Sequence, residues 1–247
     1  MNDLNGRALA IVITPSIGSP ELKEAVASVE NQNFEDVIHF IVVDGEKYAA
    51  NVSKILQQFD STKHKQIVLP SNTAYGIGGA RFNGHRIYAA FSYLVNSQYV
   101  FFLDEDNWYD ANHVGSLIGM IEEECLDWAY SLRKIYTHDG KYVANDDCEN
   151  LGRWPPFSGR HNLVDTSCYA FKREVLAAVG HKWFHPLGAD RAFFRFISSC
   201  FPNFKTSSRY SVNYRLHDNR PPAPGFFLSG NKYMRARYGD RLPWSSR

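Results

Sequence analysis

Three acids in succession, Asp104-Glu105-Asp106, close an apolar run at residues 99–103. Carboxylates packed this tightly repel one another, and a hard divalent cation such as Mg2+ or Mn2+, which prefers oxygen ligands, offsets the repulsion. The same string also suits a solvated acidic turn that holds nothing. Two other positions share its setting: Thr14-Pro15 ends one apolar run and Asp44-Gly45 ends another. Asp44 suits acceptance of hydrogen bonds from a nucleobase N–H or a ribose hydroxyl, or else a turn or helix cap. Gly76-Ile77-Gly78-Gly79, with Arg81 behind it, offers a nucleotide close backbone approach and a cation. Its G-x-G-G form departs from the G-x-G-x-x-G of dinucleotide-binding folds. Trp154, Phe157 and Arg160 combine aromatic faces with a cation, as a sugar-stacking acceptor site would and as a plain packing loop also would. Asp165 suits a contact to an acceptor or donor sugar, or a simple turn.

The elements that must position these residues follow from hydrophobic patterning. Residues 8–14, 38–43, 66–69 and 99–103 are short, β-branched or aromatic runs that predict strands buried on both faces. Between them, Leu22, Val26 and Val29, and then Val52, Ile55, Leu56 and Phe59, recur at helical spacing. Ser19-Pro20 predicts a capped helix start. Strands alternating with helices imply a parallel sheet with right-handed crossovers, whose ligands gather at the carboxyl ends of the strands. Helices are also expected over 80–95 and 111–125, where Glu122-Glu123-Glu124 makes a solvated face. Beyond residue 127 the pattern predicts a hairpin around Asp139-Gly140, a loop over 145–164, a strand over 167–172, short helices over 173–179 and 189–199, and a strand over 210–216. Pro221-Pro222-Ala223-Pro224-Gly225 ends the regular pattern and opens a basic tail.

In order and spacing, Thr14-Pro15, Val43-Asp44-Gly45, Gly79-Ala80-Arg81 and Phe102-Leu103-Asp104-Glu105-Asp106 resemble the successive blocks of family 2 glycosyltransferases with the GT-A fold. The resemblance is close over residues 8–125 and thinner to about 218. It implies an α/β, nucleotide-diphospho-sugar-transferase-like fold with a mostly parallel central sheet flanked by helices. It implies that Thr14, Pro15, Asp44, Arg81, Asp104 and Glu105 face a nucleotide-sugar donor, and that Asp104 and Asp106 hold Mn2+ or Mg2+ on its diphosphate. It further implies that His217 completes the metal or diphosphate site and that Asp190 is the catalytic base, with inversion at the anomeric carbon. This chain departs from the family pattern in two places: Arg81 is followed by Phe82 before Asn83, and Ala189 stands where a glutamate usually precedes the aspartate. A helix-capping role for Asp190 is the alternative.

Composition sets the frame. The 247 residues are 44% hydrophobic and 21% charged, which is neither a disordered nor a fibrous chain. They suit one domain at 1–220, with a nucleotide-sugar half at 1–125 and an acceptor half at 126–220, followed by the tail at 221–247. A formal net charge of +1 argues against duplex nucleic acid as a partner. The four cysteines form no C-x-x-C pair and read as free thiols. Residues 1–7 lack the form of a secretory signal and no run is long enough to span a membrane, so a cytoplasmic location is expected. The small net charge hides a division. Residues 1–204 carry 18 basic and 24 acidic side chains, whereas 205–247 carry 9 and 2. Three roles suit the tail: folding over the site to help hold the diphosphate, resting on the inner face of an anionic membrane that carries a lipid-linked acceptor, or solubilising the chain while a few aromatics pack it. The function expected is metal-dependent sugar transfer to a saccharide or lipid-linked hydroxyl. A non-catalytic nucleotide-sugar-binding module and a sugar-phosphate nucleotidyltransferase are the rivals.

Overall fold

The computed structural model describes residues 8–76, 79–186 and 188–245. Residues 1–7, Ile77 and Gly78 of the glycine-rich stretch, and Leu187 ahead of Asp190 lie outside the described residues. The first half alternates as expected: β1 (Ala10–Ser16), α1 (Leu22–Glu30), β2 (Val37–Val43), α2 (Ala49–Leu56), β3 (His64–Val68), α3 (His85–Leu94) and β4 (Tyr99–Phe102). The second half continues with β5 (Trp108–Tyr109), α4 (His113–Glu123), β6 (Trp128–Tyr136), β7 (Tyr142–Asn145), β8 (Tyr169–Lys172), α5 (Arg173–Val179), α6 (Ala189–Cys200), β9 (Phe204–Arg215) and α7 (Pro224–Tyr238).

One nine-stranded sheet runs β3-β2-β1-β4-β8-β6-β9-β5, with β7 paired to β6. The β3-β2-β1-β4 half and the β6–β9 pair are parallel, while β8, β5 and β7 join antiparallel. The mixed α/β architecture expected from the strand–helix rhythm is therefore present. Of its four parallel strands, β1, β2 and β4 are mainly apolar because they are covered on both faces, whereas β3, at the edge of the sheet, carries His64, Lys65 and Gln66 and is only partly buried. Ile13 pairs with Phe102 and Ser16 with Val43, so Thr14, Pro15, Asp44 and Asp104 all emerge at the carboxyl edge of the sheet. The β9 strand pairs Asn213 with Trp108, which brings the residues just beyond it to the same edge.

Three local expectations change. The first helix starts at Leu22 without a side-chain cap; Ser19 instead donates its backbone N–H to Glu105, 3.2 Å away. The last strand is longer than expected because Phe204 and Tyr210 pair with Trp128 and Leu132 of β6. The basic tail contains a helix, α7, which buries Phe227, Gly230 and Met234 against the body. Trp244 beyond it is also buried. Gly230 is required there, since a Cβ would meet Sγ of Cys148 at 2.5 Å.

Candidate functional site

The acidic string divides its labour. Asp104 leaves β4 with its backbone N–H on the Ser167 hydroxyl at 3.2 Å and one carboxylate oxygen accepting from Tyr88 at 2.8 Å. Part of Asp104 remains open to solvent, yet crowding by protein atoms, then the charges of Asp106, Asp165 and Asp190, push its carboxyl well above the usual range. Asp106 accepts from His217 Nε2 at 2.9 Å across 111 residues of sequence. The arrangement is braced by Arg215, whose Nε donates to the Asp106 carbonyl at 3.2 Å and whose backbone N–H donates to Asn107 at 3.1 Å. Glu105 braces the neighbouring turn. It accepts from the Ser16 hydroxyl at 2.6 Å and from the backbone N–H groups of Ile17 and Ser19 at 3.3 and 3.2 Å, tying the β1–α1 turn to the edge of β4.

The neighbouring wall is built around Asp44. Its carboxylate accepts from the Thr73 backbone at 2.6 Å and from the Asn72 amide at 3.0 Å, anchoring the loop after β3. Arg86 supports that loop by donating to the carbonyls of Thr73 and Tyr75, with its guanidinium 3.9 Å from the centre of the Phe82 ring. Arg81 pairs with Tyr75 through the backbone and leaves its side chain exposed. Pro15 packs on Gly84, where a Cβ would lie 2.9 Å from the proline ring and where φ is +84°; only glycine lets α3 begin so close to β1. Thr14 is fully buried with its hydroxyl 2.7 Å from His39 Nε2, so its side chain serves the sheet and not an open surface.

Asp190 stands in the first turn of α6, after Gly188. The capping role considered for it is taken by Gly188, and the carboxylate accepts from the backbone N–H of Arg191 at 2.8 Å. His85, at the start of α3, donates Nδ1–H to the His185 carbonyl at 2.9 Å. Burial lowers its pKa, opposed by that bond and by the charge of Asp190.

Behind the acids lies a group that sequence reasoning missed. Arg133 is 2% exposed and binds Asp146 at 2.8 Å, Glu149 at 2.8 Å and Asp165 at 2.7 Å. Burial alone would push its pKa down, and the three carboxylates more than reverse this. Glu149 also binds Arg191 at 2.8 Å, and Asp165 accepts from the Ser167 backbone at 3.0 Å. Through these links the buried ion cluster touches the neighbours of both Asp190 and Asp104. Asp165 is thus committed to Arg133 and Ser167, not free for a sugar. Of the residues expected at an acceptor platform, Trp154 packs on Trp244, Phe157 packs on α7, and Arg160 is exposed. The available signal was Arg133 itself, a cation at a buried position of the strand WAYSLRKIY, where its neighbour Lys134 is only partly buried.

Comparison with known proteins now decides the family. The model of glycosyl transferase family 2 matches residues 11–180. The chain belongs to that family. Over 64 residues, 26% of its length, it is 35% identical to an uncharacterized protein of Haemophilus influenzae, 43% of which is matched. Among solved structures it is similar to Staphylococcus aureus TarS in complex with UDP-GlcNAc (TM-score 0.64, 13% identity, 92% of this chain and 64% of that one). It is also similar to the Pyrobaculum calidifontis mannosyltransferase PcManGT in complex with GDP-Man and Mn2+ (TM-score 0.61, 12% identity, 97% and 67%). At these identities the likeness is one of fold. The chain spans less than two thirds of TarS and less than half of the Haemophilus protein.

For a family 2 chain, the fit to a divalent cation is testable on these side chains. Among the described residues no three ligand-type side chains form a ready-made cage. Asp106 and the His217 imidazole nevertheless meet at the edge where Asp104 emerges, and the charge crowded around Asp104 is of the kind a cation relieves. One or two carboxylates suffice for an ion whose other ligands are substrate phosphates and water. The donor set fits.

Proposed function

We propose that this chain transfers a sugar from a nucleotide-diphosphate donor to an acceptor hydroxyl of a saccharide or lipid-linked glycan. The observation that carries the proposal is the convergence of Asp104, Asp106, His217 and Asp190 at the sheet edge where Asp44 and Pro15 form the adjoining wall. The donors in complex with TarS and PcManGT, UDP-GlcNAc and GDP-Man, and the Mn2+ of the latter, support a hexosyl donor and a divalent cation here.

Asp104 and Asp106 would hold Mn2+ or Mg2+ with His217 beside them. When bound, the cation supplies positive charge where the departing diphosphate gains negative charge. The loop held by Asp44 and Arg86 lies against the nucleoside, with Arg81 free to reach a phosphate. Asp190 takes the proton of the acceptor hydroxyl as that oxygen bonds to the anomeric carbon and the bond to the diphosphate breaks. A single displacement of this kind inverts the carbon. Arg191, held on Glu149, keeps the backbone of the Asp190 turn in place. The test is turnover of UDP- and GDP-sugars with Mn2+. Wild-type protein consumes one of them, Asp104→Ala does not, and Asp190→Asn loses transfer by about 10²–10⁴-fold while still binding donor. Full transfer by Asp190→Asn would remove it as the base.

A further inference from the structure

The face formed by α7 and the loop at residues 151–161 combines positive charge with exposed apolar side chains. The loop contributes Arg153 and Arg160; α7 and the turn after it contribute Lys232, Arg235, Arg237 and Arg241, all exposed. Asp240 is the single carboxylate in residues 151–161 and 224–245. Tertiary packing makes these two stretches one surface. Phe157 lies 5.7 Å from Phe226 and 5.2 Å from Tyr233 between ring centres, and Trp154 lies 6.2 Å from Trp244. Little of the charge is used within the protein. Among the described residues Arg235 approaches Asp147 at 3.7 Å while 64% exposed, and the other five cations make no ion pair. Leu228 and Tyr233, on the same helix, are 55% and 46% exposed.

We infer that this face docks the protein on an anionic lipid bilayer. Clustered Lys and Arg next to an anionic leaflet each strengthen partitioning about fivefold, within roughly one Debye length of the surface. An exposed leucine and a tyrosine beside them suit the boundary between headgroups and acyl chains. A soluble polyanion would engage the cations equally well but leaves Leu228 without a role. The inference stands apart from sugar transfer, because none of its residues belongs to the acidic site.

Sedimentation with vesicles tests it. The 247-residue chain should partition onto phosphatidylcholine vesicles containing phosphatidylglycerol, hardly onto pure phosphatidylcholine, and less as salt rises. Lys232→Glu with Arg241→Glu should cut partitioning by more than about tenfold, Arg153→Glu by a smaller factor, and Leu228→Ser by several-fold at unchanged salt dependence. Each variant is checked for an unchanged melting temperature. Equal binding of wild-type protein to neutral and anionic vesicles would overturn the inference. So would binding to soluble polyphosphate as tight as to vesicles with Leu228→Ser indistinguishable from wild type, which would assign the face to a polyanionic chain.

Discussion

Two groups of carboxylates lie side by side in this molecule and differ in what neutralises them. Asp146, Glu149 and Asp165 surround one buried guanidinium, Arg133, in a closed set of charge-assisted hydrogen bonds. Asp104 and Asp106 have a tyrosine hydroxyl and a histidine, and burial and like charges drive Asp104 toward its protonated form. Residue type does not separate the two groups; partners do. The first is complete within the protein and serves the fold. The second is left short of positive charge at the surface, as a site that receives a cation from outside must be.

The comparison breaks most sharply under substitution. Arg133→Met leaves Asp146 and Asp165 without a cation in a dry setting, and Glu149 with Arg191 alone, and should cost about 3–5 kcal/mol in urea unfolding. Asp104→Asn should leave the unfolding midpoint unchanged or raise it, because like-charge repulsion goes while the amide oxygen still accepts from Tyr88. An unfolding cost from Asp104→Asn as large as that from Arg133→Met would erase the distinction. Next in size, His217→Ala should weaken nucleotide binding in Mn2+ by about tenfold or more, read by calorimetry, with little change in EDTA.

A buried group lacking any ion pair sharpens the same point. His113 is stacked on Tyr109 and hydrogen-bonded to Ser211, and burial lowers its pKa from 6.5 to about 3 despite Asp110. The folded state therefore excludes a proton that the unfolded chain accepts. Its contribution is intact above pH 6.5 and is lost as pH falls toward 3, with a slope of about 1.4 kcal/mol per pH unit. Urea midpoints across that range should decline less steeply in His113→Asn. The smallest effect is expected from Ser167→Ala, about 1 kcal/mol of stability, since it removes the acceptor for the Asp104 backbone and the Asn107 amide.

Much of the parallel half is legible in the sequence because both-face burial forces continuous apolar runs, and strand ends then locate Asp44 and Asp104. The meeting of His217 with Asp106 follows from the family pattern and the β9 pairing. What escapes the sequence depends on distant partners. Glu105 looks equivalent to its neighbours until Ser16 and Ser19, 89 and 86 residues away, claim its carboxylate. Asp165 reads as a turn until Arg133 is placed beside it. The α7 helix hides because its buried stripe is sparse, Phe227, Gly230 and Met234, within a segment that is polar, glycine-containing and preceded by prolines.

The central claim is that Asp104 and Asp106 form an incomplete acidic site that a divalent cation and a nucleotide diphosphate complete together. Calorimetric titration of UDP and GDP into wild-type protein and Asp104→Asn, each with Mn2+ and with EDTA, measures this directly. We predict binding of one nucleotide to wild-type protein in Mn2+, and its loss both in EDTA and in the variant. Equal binding in EDTA or by Asp104→Asn, or no binding of either nucleotide to wild-type protein, would contradict the claim.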